Sequence, residues 1–110
     1  MAYDETLADR IRAAAAALDS DVTERKMFGG LAFMLNGHMF AGVVGKEVML
    51  RLGEPAASHA LSRPHVREMD FTGRPMKGMV FVEPNGLHGP ALGQWITEAA
   101  AFVRSLPAKA

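Results

Sequence analysis

The chain has 110 residues, twelve basic and twelve acidic side chains, and no cysteine. This length predicts one domain, residues 1–110, with a core that needs neither disulfide nor metal. The cancelling charges exclude binding of nucleic acid through net charge alone, and the missing cysteine excludes thiolate chemistry. The polar, acidic start contains no signal peptide and no apolar run is long enough for a membrane, so we expect a cytoplasmic protein.

An amphipathic helix is predicted at the start of the chain. Asp4 is a suitable N-cap residue, and Leu7, Ile11 and Leu18 recur at helical spacing behind it. The polar residues 19–21 favour a turn and should end the helix.

The stretch Met27–Leu52 has the pattern around which the rest of the chain is organised. Apolar and polar residues alternate in three runs, which is typical of half-buried strands. Asn36-Gly37 between the first two runs predicts a type I′ hairpin turn, and Gly45-Lys46 predicts the next turn. Before this meander, 22–28 reads as a further extended segment. Two glycines at 29–30 indicate a bulge or bend, so we interpret 22–36 as one long broken strand.

The second half of the chain alternates between helical and extended patterns. A short helix is predicted from Pro55 to about Leu61, because proline suits the first helical turn. Strands follow around 66–71 and 78–83, and the second of these is apolar on both faces. A last helix with a wide apolar stripe that includes Trp95 closes the chain. The predicted class is α+β, two layers with a five-stranded antiparallel sheet and three helices in the order α-β-β-β-α-β-β-α.

No catalytic, cofactor or metal motif is found in the sequence. The four histidines lie on different predicted elements without a ligand-pair spacing. The glycines lack the lysine and the following helix of a phosphate-binding loop. We therefore expect no enzyme, no metal and no cofactor.

Two surfaces are candidates for binding. One is a basic patch for an anion or nucleic-acid backbone, with a solvated rim as the alternative interpretation. Its residues would be Arg25, Lys26, Arg67, Arg74 and Lys77. The other is apolar, because three helices shield one face of a sheet and hardly both. Its residues would be Phe33, Met34, Phe40 and Phe81, and a second copy of the chain is the simplest cover, which predicts a homodimer.

Several short sequence motifs resemble those of one family, the N-terminal domain of the TfoX/Sxy bacterial competence regulators. The motifs are RKMFGG (25–30), NGHMF (36–40), MLRL (49–52) and RPMKG (74–78). The resemblance runs from about Asp4 to Leu106 and implies a two-layer α+β fold similar to that of secretion chaperones. It implies regulatory or protein-interaction work without catalysis, and it supplies no catalytic residue. Full-length competence regulators carry a further, helical C-terminal domain, and these 110 residues end where it would begin.

Two functions from different classes follow. The first is a non-enzymatic regulatory or protein-interaction module that binds an unidentified protein and forms a homodimer. The second is a small domain that binds an anion or nucleic acid through the basic patch.

Overall fold

In a computed structural model, the described part of the chain folds into three helices and a single sheet. The structure describes residues 3–18, 21–27, 29–70 and 75–107, without the side chains at 69–70 and 75–77. The helices are α1 (Glu5–Ala16), α2 (Glu54–Ala60) and α3 (Ala91–Arg104), with a 3₁₀ turn at Pro84–Gly86. Within the described residues, no helix is long and apolar enough to cross a membrane.

All strands belong to one antiparallel sheet. They are β1 (Val22–Met27), β2 (Gly30–Leu35), β3 (His38–Val44), β4 (Glu47–Arg51), β5 (Val66–Asp70) and β6 (Pro75–Val82). Their order across the sheet is β1-β2-β3-β4-β6-β5. The first four strands follow one another as hairpins, whereas β6 inserts between β4 and β5. Strands β1 and β5 therefore form the two edges.

The α+β class is confirmed, but the sheet has six strands rather than the predicted five. The extra strand arises at Gly29, whose φ of +74° allows the chain to reverse. Met27 pairs directly with Gly30, so the chain reverses between these two residues in a hairpin, where we expected a bend. Phe28, which we placed in the first strand, lies outside the described residues.

The local signals read from the sequence are confirmed at the other turns and at the first helix. Asn36 and Gly37 both have positive φ, +55° and +82°, as a type I′ turn requires. The Asp4 carboxylate caps α1 by accepting a hydrogen bond of 2.9 Å from the Leu7 N–H. Strand β6 begins at Pro75, three residues earlier than the predicted start at Gly78.

All three helices pack on one face of the sheet and enclose the main core. Ile11 of α1, Ala57 of α2 and Ile96 of α3 belong to one buried cluster with strand residues such as Leu50. Trp95 is 3% exposed in this core. We call this the helix-covered face.

A β-bulge in β3 changes which residues face the helices. Phe33 pairs with Ala41 but Met34 pairs with Met39, so Phe40 is an extra residue in the ladder. As a result Phe40 and Ala41 both join the main core, whereas Met39 packs on the opposite face.

Candidate interaction surface

The opposite face of the sheet carries a second apolar cluster that is built from strand side chains alone. We call it the outer face. Its residues are Met34, Met39, Val44, Met49, Met79 and Phe81. Met49 and Phe81 are buried at its centre, and the others are half-buried around them.

Met49 is buried because small residues lie beneath it. A Cβ atom at Gly42 would lie only 2.5 Å from the Met49 Cε, so the thioether lies across this glycine. Ala32, the neighbour of Gly42 on β2, is also without exposed surface. The unbranched methionine side chain fills such a shallow trough well. Met49 therefore reaches 0% exposure without a helix above it.

Phe81 is covered by an arginine. The Arg67 guanidinium lies 4.5 Å from the centre of the Phe81 ring, within cation–π range. The same guanidinium binds both carboxylate oxygens of Glu47, with 2.9 Å between Nε and Oε2. Arg67 is thus already engaged in holding the margin of the outer face. No short sequence pattern links Glu47 to Arg67, because Glu47 lies 20 residues away in the chain, on β4.

The three described side chains of the predicted basic patch do not lie together. Arg25 and Lys26 are exposed on β1, at one edge of the sheet, and Arg67 lies on β5 at the other edge. Five strand spacings of about 4.8 Å place these edges roughly 24 Å apart along the sheet. Arg74 lies outside the described residues, and Lys77 is described only by its backbone in β6.

The predicted apolar interface residues divide between the two faces. Phe33 and Phe40 are fully buried between the sheet and the helices. They cannot meet a partner without unfolding, because they belong to the core. Met34 and Phe81 lie on the outer face, Met34 half-buried and Phe81 buried.

A groove runs between α1 and β1 on the helix-covered face. We call it the α1–β1 groove; its volume is about 640 Å³. It is lined by Arg12, Ala15, Ala16, Asp21, Val22, Thr23, Glu24 and Phe33. No sequence pattern predicted this groove, because the groove depends on the distance between α1 and β1.

Arg12 and Glu24 bridge this groove. The Arg12 guanidinium donates to both oxygens of the Glu24 carboxylate, at 2.7 and 2.9 Å, and to Asp9 at 2.6 Å. The hydrogen bonds from Arg12 hold the pKa of Glu24 below its ordinary value, although partial burial opposes the shift. The two side chains are 38% and 37% exposed, so water screens the pair and its contribution to stability is small.

A smaller recess of about 170 Å³ lies beside the start of α1 and the Leu87–His88 loop. Arg10 at its margin donates to the Leu87 carbonyl at 2.7 Å. That arginine therefore holds the loop.

The described histidines are dispersed, and the described part of the chain contains no group of three or more potential metal ligands. His59, His65 and His88 are exposed, whereas His38 is buried. The His38 Nε2–H donates to the Pro107 carbonyl at 2.7 Å, and Nδ1 has no described partner. His38 thus joins the β2–β3 hairpin to the segment after α3.

The described residues thus form an apolar outer face and a strand β1 that pairs with a described strand on one side only. No curated protein and no solved structure was found to match the chain. A family model for the TfoX N-terminal domain matches residues 13–103, which is most of the chain. The match includes every strand of the sheet and nearly all of α3. On this finding the chain belongs to the TfoX N-terminal domain family.

Proposed function

We propose that this competence-regulator-like domain is a non-enzymatic regulatory module that acts by binding proteins, and that it forms a homodimer through the outer face. The family is not known as one of enzymes. The apolar cluster on the outer face, which the described helices leave uncovered, supports a role in protein binding.

One observation carries the proposal. The outer face has an apolar centre that none of the described helices covers, while its rim is half-buried methionine and valine. Burial of such side chains against a partner is worth roughly 25 cal/mol per Å² of apolar surface. Methionine adapts its shape to a partner, so a rim of Met34, Met39 and Met79 suits a contact surface.

A second copy is the partner that we propose for this face. Two-fold symmetry lets one patch pair with itself, so every outer-face residue gains apolar cover at once. At the margin of this face Arg67 is already paired with Glu47, so a symmetric contact need not bury that charge unpaired.

Sedimentation of the wild-type chain and of Met39→Lys tests the proposal. We expect the wild type at micromolar concentration to sediment with twice the 11.8 kDa mass of one chain. Met39→Lys should sediment as a monomer and keep a cooperative unfolding transition, because Met39 lies at the rim and not in the main core. Ala101→Lys, an equal change on the exposed side of α3, is the matched control and should leave the dimer intact. A wild-type monomer at high concentration would contradict the proposed homodimer.

Phe33→Glu separates dissociation from unfolding. Phe33 is fully buried under the helices, so a charge there should abolish the fold instead of only the dimer. If Met39→Lys behaves as Phe33→Glu does, the outer face supports the fold itself and is not an interface.

The alternative, anion or nucleic-acid binding, requires the cations to act together. Arg25 and Lys26 stand at the opposite edge from Arg67, so the described residues do not form one groove for a phosphate backbone. We expect no sequence-selective binding to duplex DNA at physiological salt. Tight binding whose affinity falls steeply with salt would favour this alternative.

A further inference from the structure

We propose that the free edge of β1, together with the α1–β1 groove, accepts an extended acidic segment of another protein as a seventh strand. The inference shares with the proposed function only the premise that the domain binds proteins. It concerns another surface, at the edge of the sheet, and it names the chemistry of the partner segment.

The first support is the backbone of β1. This strand of six residues pairs with β2 on one side, and no described strand lies on its other side. Alternate residues of an edge strand point their N–H and C=O groups away from the sheet. About three residues of β1 therefore offer main-chain hydrogen bonds to an added strand.

The second support is the charge of the edge. Glu24 is neutralised by Arg12, whereas neither Arg25 nor Lys26 forms an ion pair with a described residue. Arg25 pairs with Ala32 and so lies on the outer side, while Lys26 pairs with the core residue Leu31 and lies on the helix-covered side. A segment beside β1 thus meets one cation on each side of the sheet, and acidic residues complement both.

The third support is the α1–β1 groove, which opens beside the same strand. Ala15 and Ala16 of α1 form one wall, and Val22 and Glu24 of β1 form the other. Because the alanine side chains are small, a gap remains between α1 and β1, and the Arg12–Glu24 pair spans it. In an added strand every second side chain points to the helix-covered side, where this groove can receive it.

A second copy of the chain fits this edge less well than an acidic segment does. Two β1 strands related by a two-fold axis must pair antiparallel, with opposite residues on the same side of the sheet. In the two registers of greatest overlap the axis passes through Glu24 or Arg25, which places two Glu24 or two Arg25 side chains opposite each other at the centre. The register centred on Arg25 also sets Lys26 of each copy opposite Glu24, which is already neutralised by Arg12. Like charges across a strand pair are destabilising.

Antiparallel pairing also specifies the order of side chains in the partner. Read from its N-terminus, the segment meets Lys26, then Arg25, then Glu24 and finally Val22. The positions opposite Lys26 and Arg25 should be acidic. Those opposite Glu24 and Val22 point into the α1–β1 groove and should be apolar. The pattern is acidic-acidic-apolar-any-apolar.

A labelled peptide of this pattern tests the inference with the full chain. The probe is the hexapeptide amide Ser-Asp-Asp-Val-Thr-Val, and the readout is fluorescence anisotropy. We expect saturable binding that weakens with salt, and no binding of Ser-Lys-Lys-Val-Thr-Val. Arg25→Glu and Lys26→Glu should each weaken binding about fivefold or more, since an opposite-charge cross-strand pair becomes a like-charge pair. Lys46→Glu in the β3–β4 turn is the matched control and should change affinity less than about twofold.

N-methylation of the probe distinguishes an added strand from simple charge attraction. Methyl groups on one alternate set of amides remove the hydrogen bonds to β1, so that peptide should bind at least about tenfold more weakly. Methyl groups on the other set point away from β1 and should be tolerated. Equal effects of both sets would overturn the added strand. Equal binding of the lysine peptide, or no saturation at millimolar probe, would overturn the inference as a whole.

The two proposals fail separately. Met39→Lys should lose the dimer and still bind the peptide, whereas Lys26→Glu, on the helix-covered side, should weaken peptide binding and keep the dimer. A dimer that never binds the probe refutes only the peptide site, and a monomer that binds it refutes only the homodimer.

Discussion

Gly53→Ala places one methyl group where the chain passes from β4 into α2. Gly53 has φ +86° and ψ +155°, a conformation that residues with a Cβ rarely adopt. The new Cβ would lie 2.5 Å from Cε1 and 2.9 Å from Cδ1 of the Phe102 ring. The substitution therefore meets both a strained backbone and a rigid aromatic neighbour on α3.

The expected loss of stability follows from these two effects. A non-glycine residue in this region costs about 1–3 kcal/mol, and overpacking a filled site costs about 1–3 kcal/mol more. Alanine lowers the conformational entropy of the unfolded chain, which offsets about 0.4–1 kcal/mol of this loss. We expect a net loss of about 2–5 kcal/mol, a large share of the roughly 5–15 kcal/mol that stabilises a domain.

Urea denaturation measures this loss against a matched control. Gly45→Ala also has positive φ, +58°, but nothing lies within 4 Å of its new Cβ, so it should lose only about 1 kcal/mol. In a Phe102→Leu background the cost of Gly53→Ala should fall, since the two residues are in contact and their effects are not additive. Equal losses for Gly53→Ala and Gly45→Ala, or an undiminished loss in the Phe102→Leu background, would refute the packing argument.

Three further changes test other parts of the fold. Trp95→Ala should cost about 3–5 kcal/mol in urea denaturation, because the indole is a buried core residue; a loss under about 0.5 kcal/mol would contradict its burial. Gly37→Val should destabilise more than Lys46→Ala, because only Gly37 of these two has positive φ; equal, small losses would argue against the type I′ turn. Wild type should exceed Glu24→Gln in stability by up to about 1 kcal/mol at neutral pH. Because Arg12 lowers the pKa of Glu24, this difference in stability is fully present above the ordinary glutamate pKa of about 4.3. It disappears as the pH falls through the lowered pKa of Glu24 in the folded protein. A difference that stays the same at every pH would exclude the ion pair as its source.

The sequence by itself determined the local elements of this domain. The N-cap at Asp4, the positive-φ turn at Asn36-Gly37 and the alternating runs of the meander depend on residues a few positions apart. Each was predicted correctly because φ preferences, capping hydrogen bonds and side-chain periodicity are properties of chain neighbours. The family resemblance likewise rests on short sequence motifs, and the family match agrees with it.

Only the tertiary structure decided how those elements meet. The hairpin at Gly29 gives the sheet six strands instead of the expected five. The bulge at Phe40 directs the Phe40 ring into the core and Met39 to the opposite face. The strand order separates Arg25 from Arg67, although both are basic and were predicted to share one patch. The Arg12–Glu24 pair joins a helix to a strand across a groove that no short pattern encodes. These features depend on which strand lies beside which and on how far a helix stands from the sheet. Such distances are set by packing between residues remote in the chain, which local periodicity does not report.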